Sequence, residues 1–253
     1  MIARPAEKLG MLEINRKRDD VSWGGYLRHG IGTRLATLGE RWGQPWLVYN
    51  PLIFAQYHAL ARENAPGVIE SLNELFPDTK RLADIGAGTG AFSAEAKRRG
   101  FTVMACEHSR IGRTFARMAG VRARSFDLTR ADPIHWNSDR PGDMPADLAI
   151  CLEVGEHLPP ELGDRLVRLL SELSSTVVFS AAPPGQGGIA HINEQPREYW
   201  MRRFEDCSLR FRGDLTEELS RRFATHGVAQ FLIDNVLVLQ RAPSDGGGQA
   251  RGA

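Results

Sequence analysis

The sequence predicts an α/β fold, a doubly wound Rossmann-like sheet behind an N-terminal helical cap, and three observations predict it. From residue 81 onward, short apolar runs alternate with helical patterns, as expected of strands laid side by side with helices on their faces. The first such run, Leu82-Ala83-Asp84-Ile85, opens into the glycine turn Gly86-Ala87-Gly88-Thr89-Gly90. Residues 1–80 show no strand alternation and carry aromatic residues within helical patterns. The expected division is a cap or lid over 1–80, a core over 81–243 and a disordered tail over 244–253.

Taken in order, the cap is helical because stretches such as Pro51-Leu52-Ile53-Phe54-Ala55-Gln56-Tyr57-His58-Ala59-Leu60 space their apolar residues for one helix face. Trp23, Tyr26, Trp42, Trp46, Tyr49 and Tyr57 either pack this cap onto the core or form a lid over a substrate, and both readings stay open. The core then reads as strand 81–85, helix 90–99, strand 101–106, helix 109–119, strand 122–126, strand 147–152, helix 160–173 and strand 175–181. Helices over Pro196–Glu205 and Leu215–His226 follow. Val228–Asp234 and Val236–Arg241 are expected to face each other as a hairpin across Asp234-Asn235.

Composition narrows the class. At 253 residues, 42% hydrophobic and 25% charged, the chain can bury one full α/β core with additions. A net charge of +1 gives no long-range attraction for a polyanion, so nucleic acid is disfavoured as a partner. Cys106, Cys151 and Cys207 are odd in number and far apart, which argues against a disulfide framework and for a reduced, cytoplasmic setting. The N-terminus has no signal-type apolar core, and no run approaches the ~18 apolar residues of a membrane span.

The glycine turn carries the strongest chemical signal. Glycines let backbone turn sharply against a ligand, and the helix that follows aims free N–H groups at an anion. Gly86, Gly88 and Ala91 also fit a dinucleotide fingerprint with Glu107 as its ribose acid. Two features separate the cases: about 80 residues precede the turn, and Asp84 sits inside the motif, where a dinucleotide site needs no carboxylate. The pattern D-x-G-x-G-x-G resembles motif I of the class I S-adenosylmethionine (SAM) methyltransferases. That resemblance implies a seven-stranded methyltransferase sheet of order 3-2-1-4-5-7-6 and SAM as cofactor.

In a doubly wound sheet, ligands bind at the carboxyl ends of the strands. Acids recur there: Asp84, Glu107, Asp127 and Glu153 close or follow successive strands. By the resemblance, Glu107 accepts from the ribose hydroxyls and Asp127 sits by the adenine amino group, with Phe126 and Leu128 as apolar walls. Gly86, Gly88 and Gly90 hold the methionine portion, with Asp84 helping to anchor it, and Glu153 completes the cofactor-side acids.

A second cluster follows the fourth strand. In Cys151-Leu152-Glu153-Val154-Gly155-Glu156-His157-Leu158-Pro159-Pro160, ligand-type residues stand at i, i+3 and i+4, which share a face if the stretch is helical. Pro159 and Pro160 suit the start of the next helix, leaving the stretch as an exposed turn. His191, in the glycine-rich loop 181–196, comes from the spatially adjacent strand end. Glu153, Glu156, His157 and His191 form a mixed oxygen and nitrogen set suited to Mg²⁺, Mn²⁺ or Zn²⁺. The pattern is similar to the E-x-x-E-H plus distant His of the small-RNA 3′-terminal 2′-O-methyltransferases, and its first part to the ubiquinone-biosynthesis O-methyltransferases. The same stretch also occurs in methyltransferases without a metal, where a Glu caps and a His lines the pocket. His191, His157 and Glu156 are the candidate catalytic residues, and His191 as a metal-free general base is the open alternative. Further along, Asn193 and Arg197 offer groups for a sugar or another polar ring, Tyr199 reads either that way or as core of the following helix, and Trp200 is assigned to the core.

The expected function is SAM-dependent O-methylation of a small hydroxylated molecule: a sugar, a nucleoside or a secondary metabolite. Its rivals are a 2′-O-methyltransferase acting on an RNA end, a silent SAM-binding partner protein and a nicotinamide dehydrogenase.

Overall fold

The computed structural model describes residues 23–130 and 146–241, except for the side chains of 23–29, 45 and 46. The expected disordered tail 244–253 therefore lies outside the described residues, as do the side chains of Trp23, Tyr26 and Trp46. Among the described residues, three helices, α1 (Trp23–Trp42), α2 (Pro45–Val48) and α3 (Pro51–Leu75), precede the sheet. The core continues as β1 (Arg81–Ile85), α4 (Ala91–Arg98), β2 (Thr102–Glu107), α5 (Arg110–Met118), β3 (Arg124–Ser125), β4 (Leu148–Leu152), α6 (Pro160–Leu173) and β5 (Thr176–Ser180). It closes with α7 (Arg197–Asp206), β6 (Leu209–Phe211), α8 (Gly213–Thr225), α9 (Gln230–Asn235) and β7 (Leu237–Arg241).

The seven strands lie in the order β3-β2-β1-β4-β5-β7-β6, as expected. β3, β2, β1, β4 and β5 pair in parallel, and β7 runs antiparallel to both β5 and β6. Parallel strands need helices on both faces, and the alternation within each strand supplies two cores. On one face Ala83, Ile85, Cys151, Val177 and Phe179 meet Leu166 and Leu170 of α6 and Trp200 and Phe204 of α7. On the other, Leu82, Leu148, Ile150 and Val178 meet Val68, Ile69 and Leu72 of α3 and Leu219 and Phe223 of α8. The second half of α3 is thus built into the core. Its first half carries Phe54 and Tyr57 towards the strand ends.

The start of α3 is set by Asn50, whose Oδ1 accepts from the Leu52 and Ile53 N–H groups while Pro51 fills the first turn. The Asn50 amide also donates to the Gly32 and Leu47 carbonyls, tying α1 and α2 to α3. Asn50 is therefore both a helix cap and the joint of the N-terminal helices.

The expected closing hairpin is corrected. Val228–Asp234 is not a strand: 230–235 is α9, and the partner of β7 is Leu209–Phe211. Two local features explain the difference. An apolar run as short as Phe231-Leu232-Ile233 has no period that separates strand from helix. The Asn64 side chain of α3 accepts the Ala229 N–H at 2.6 Å, and Ala229 then accepts from Leu232, which winds the segment. β6 is only three residues long, too short to show alternation.

All three cysteines are free, two of them buried in the core. No described helix is long and apolar enough to cross a membrane.

Candidate active site

The carboxyl ends of β1 to β5 form one edge, and its two halves are built differently. At the first half, β1 enters the glycine turn, where Gly86 and Gly90 have φ of 79° and 75°. A Cβ at Gly86 would lie 2.4 Å from Val154 Cγ2, and one at Gly90 2.8 Å from Ala116 Cβ, so both positions need glycine for conformation and for space. The Gly86 and Ala87 N–H groups both donate to the Cys106 carbonyl, pinning the turn to β2.

Glu107 ends β2 and faces this turn. Its carboxylate accepts the Gly88 N–H at 2.8 Å and the Ser109 N–H at 2.5 Å, and it is nearly buried. Burial pushes its carboxyl above the ordinary range, against the pull of those two donors. Asp84 is buried beneath the turn, accepts the Ser93 hydroxyl at 2.6 Å, and is pushed up to about 6 by burial. Thr89 leaves a buried hydroxyl without a partner in the same turn. Asp127 follows β3 but folds onto its own turn, accepting from the N–H and hydroxyl of Thr129. Phe126 and Leu128 point into the core instead of standing free at the edge.

At the second half, β4 ends on Glu153, whose φ of 55° is costly for a residue with a side chain. Ser180 holds it there, both its carbonyl and its hydroxyl accepting the Glu153 N–H. The expected helical face of Glu153, Glu156 and His157 does not form, because 155–157 is a single 3-10 turn. Nor is the stretch exposed: Glu156 is 0% exposed. Its turn is sealed by the Ile192 and Asn193 N–H groups, which both donate to the Glu156 carbonyl.

Glu153 stands beside Glu156 but outside the compact cluster of the other three ligand-type residues. The Asn235 amide donates to its carboxylate at 3.1 Å, and Gln186 approaches the same group at 3.4 Å. Glu156, His157 and His191 instead place ligand atoms all within 4.8 Å of one another. Neither carboxylate oxygen of Glu156 has a well-aligned hydrogen-bond donor, although the Ala182 backbone and the Glu153 carboxyl lie beside it, and this is costly for a buried acid. Burial, and then the charge of Glu153, pushes the Glu156 carboxyl well above the ordinary range.

The two imidazoles stand edge to face, with centroids 4.9 Å apart. His157 Nδ1 lies 3.2 Å from the Ala190 carbonyl, which can only accept, so Nδ1 carries the proton and Nε2 the lone pair. Burial, and next His191, lowers the His157 pKa to about 4, keeping the ring neutral. His191 Nδ1 lies 3.0 Å from Glu194.

The N-terminal helices reach this edge. Tyr49, just after α2, stands edge-on to His157 at 6.3 Å. Burial, then Glu107, Glu156 and Glu40, pushes its hydroxyl up to about 12, so Tyr49 senses both halves of the edge. Glu40 of α1 accepts the Ala190 N–H at 2.5 Å, joining α1 to the loop that carries His191. Trp200 is core, as assigned, whereas Arg197 is spent on the Val236 carbonyl and Tyr199 lies under the Arg203 guanidinium. Asn193 is buried with its amide nitrogen unpartnered.

Glu40, Gln186, Glu194 and Asn235 were not singled out from sequence. Glu194 alone left a signal, a carboxylate three residues after His191 in a glycine-rich loop.

No protein-family model and no curated protein sequence matches this chain. Solved structures do. An O-methyltransferase family protein from Burkholderia thailandensis is 13% identical, with a TM-score of 0.54 over 88% of this chain and 70% of that one. Magnesium protoporphyrin IX methyltransferase from Synechocystis, with S-adenosylhomocysteine (SAH) bound, is 16% identical, with a TM-score of 0.52 over 86% and 99% of the two chains. A sugar N-methyltransferase from Streptoalloteichus is 15% identical, with a TM-score of 0.51 over 74% and 88%. The chain has the Rossmann-like fold of the SAM-dependent methyltransferases, and its structural neighbours include both O- and N-methyltransferases.

Proposed function

We propose that the protein is a SAM-dependent methyltransferase that methylates a hydroxyl of a small molecule and holds that hydroxyl with a divalent cation at Glu156, His157 and His191. The cofactor half rests on the glycine turn, the buried Glu107 and Asp84 and the orphaned Thr89 hydroxyl. Each Glu107 oxygen keeps a lone pair beside its N–H donor, so the pair can accept a vicinal diol. The remaining cofactor contacts fall to Gly86, Gly88 and Gly90, with Asp127 at the adenine end. Bound SAM supplies a methyl group already activated on a sulfonium, so the protein has only to align the acceptor and remove its proton.

The observation that carries the acceptor half is Glu156: a fully buried carboxyl with both oxygens unpartnered, within 4.8 Å of two imidazole ligand atoms. Such a group is either unstable where it stands or matched to something that binds there. The donor set, one carboxylate and two imidazoles, suits Mn²⁺ or Zn²⁺, and a cation there lowers the pKa of an acceptor hydroxyl. Glu153, on this reading, is a neighbour that tunes Glu156 and not a ligand.

The decisive experiment is turnover on a panel of hydroxylated acceptors after exhaustive chelation and after metal return. Loss and recovery of methylation are expected, and full activity in the chelated protein rejects the cation. A second reading is favoured by one contact, His191 Nδ1 to Glu194: His191 then acts as a metal-free general base. Chelation-resistant turnover that disappears in His191→Ala selects it. Calorimetry with SAM tests the cofactor half, and Glu107→Ala is expected to weaken binding about tenfold or more.

A further inference from the structure

We infer that Glu194 is a positioning residue that sets the tautomer and orientation of His191, with Gly188 as the floor on which the ring rests. The inference deepens the proposed site and rests on His191 acting there, whether as a ligand or as a base. Its basis is the loop between β5 and α7, which folds around one carboxylate. Glu194 Oε2 accepts the Gly185 N–H at 2.9 Å, and Oε1 accepts both the Gly187 N–H at 2.7 Å and the His191 imidazole at 3.0 Å. Gly185 and Gly187 have φ of 88° and 70°, a backbone form that turns neighbouring N–H groups inward and that glycine adopts at little cost.

These bonds have a chemical consequence for His191. With an ionised carboxylate against it, Nδ1 keeps the proton and Nε2 keeps the lone pair. The loop donors and the imidazole together hold Glu194 below the ordinary carboxylate range, although burial alone would raise it. Both side chains are largely buried, at 12% and 19% exposure, so the contact is shielded from water.

Gly188 fixes the ring from the other side. A Cβ at 188 would stand 2.3 Å from His191 Nε2 and 2.4 Å from Cε1. Any side chain there would occupy the space beside the nitrogen that carries the lone pair. The imidazole is therefore bonded through Nδ1 and packed against Gly188 at its Nε2 edge, where no side chain intrudes. His157 obtains the same tautomer from the Ala190 carbonyl, so the two rings are oriented by independent parts of one loop.

The test uses the full chain with Glu194→Gln and Gly188→Ala, read by histidine ¹⁵N spectra and by cobalt(II) titration. In the unsubstituted protein His191 is expected as the Nδ1–H tautomer. Glu194→Gln cannot accept from all three donors, so the Nε2–H tautomer should appear at His191 while His157 keeps its own. Cobalt affinity should fall about 10–100-fold, as for other groups behind a metal ligand. Should Glu194→Gln lose the loop fold, Gly188→Ala leaves the carboxylate contacts in place and is expected to displace the ring and weaken cobalt to a similar degree. A His191 tautomer unchanged in Glu194→Gln overturns the inference, as does unchanged cobalt affinity in both variants. An unsubstituted protein that binds no cobalt removes the cation from the proposed function, and the tautomer of His191 in Glu194→Gln then decides this inference alone.

Discussion

The two halves of the strand-end edge carry similar residues in opposite states. Around the glycine turn every acid is answered: Glu107 by two backbone N–H groups, Asp84 by Ser93, Asp127 by Thr129. Around the 3-10 turn Glu156 has no well-aligned donor and faces the Glu153 carboxyl, and the neutral His157 and the Glu194-bound His191 stand beside it. The first half gives each of its acids a donor and still offers spare lone pairs. The second keeps a poorly matched buried acid beside two imidazoles, the feature on which the proposed cation site rests.

The largest effect that can break this comparison is at Gly86. Gly86→Ala must both hold a positive φ and move Val154, so a loss of roughly 2–4 kcal/mol is expected in chemical denaturation, together with loss of SAM binding by calorimetry. A variant that unfolds like the parent would show that the turn is not under the constraint described.

Next come paired substitutions of the two acids. Glu107→Gln gives up an acceptor that serves backbone donors and should cost about 1–2 kcal/mol. Glu156→Gln removes a buried acid with no partner, so stability should stay level or rise by up to ~1 kcal/mol, while methylation falls at least ~100-fold. Equal destabilisation by both would erase the distinction between the halves.

The pH dependence of the metal-free protein sharpens it. Asp84 titrates near 6 when folded and near 3.8 when unfolded, so its contribution is present below 3.8 and is lost as pH rises through about 6. His157 titrates near 4 when folded and near 6.5 when unfolded, so its contribution is present above 6.5 and is lost as pH falls through about 4. Each is on the order of 3 kcal/mol, and they oppose each other between about 4 and 6. Relative to the parent, Asp84→Asn should shift the slope of stability with pH across that window upward, and His157→Gln should shift it downward. Parallel slopes in the two variants would contradict both assignments.

The smallest effect is at the junction with α1. Glu40→Ala removes one hydrogen bond to Ala190 and should lower stability by about 0.5–1.5 kcal/mol. A change in the His157 ¹⁵N signals would show that α1 bears on the site through that loop, and unchanged signals that it does not.

The legible parts of this protein were local. The glycine turn could be read because the three glycines that its positive φ angles favour stand within five residues of one another. Glu107 could be read because a β-α-β unit of ordinary length returns the end of β2 beside that turn, where Ile85 pairs with Cys106. Glu156, His157 and His191 were legible as residues but not as a set of three: their spacing suggested a helical face shared with Glu153, and the single 3-10 turn breaks that face. The misplaced hairpin has a related cause, since Asn64, 165 positions from Ala229, helps decide that 230–235 winds.

By itself, then, the sequence determined the class of sheet, the nucleoside-type turn and the ligand-type residues near its edge, because each depends on periodicity or on contacts a few residues apart. Only the tertiary structure decided which acids are satisfied. Asn235 reaches Glu153 across 82 positions and Glu40 reaches Ala190 across 150, and no local pattern records such meetings. A hydrogen bond costs or stabilises according to what else is buried beside it, and burial is a property of the packed chain.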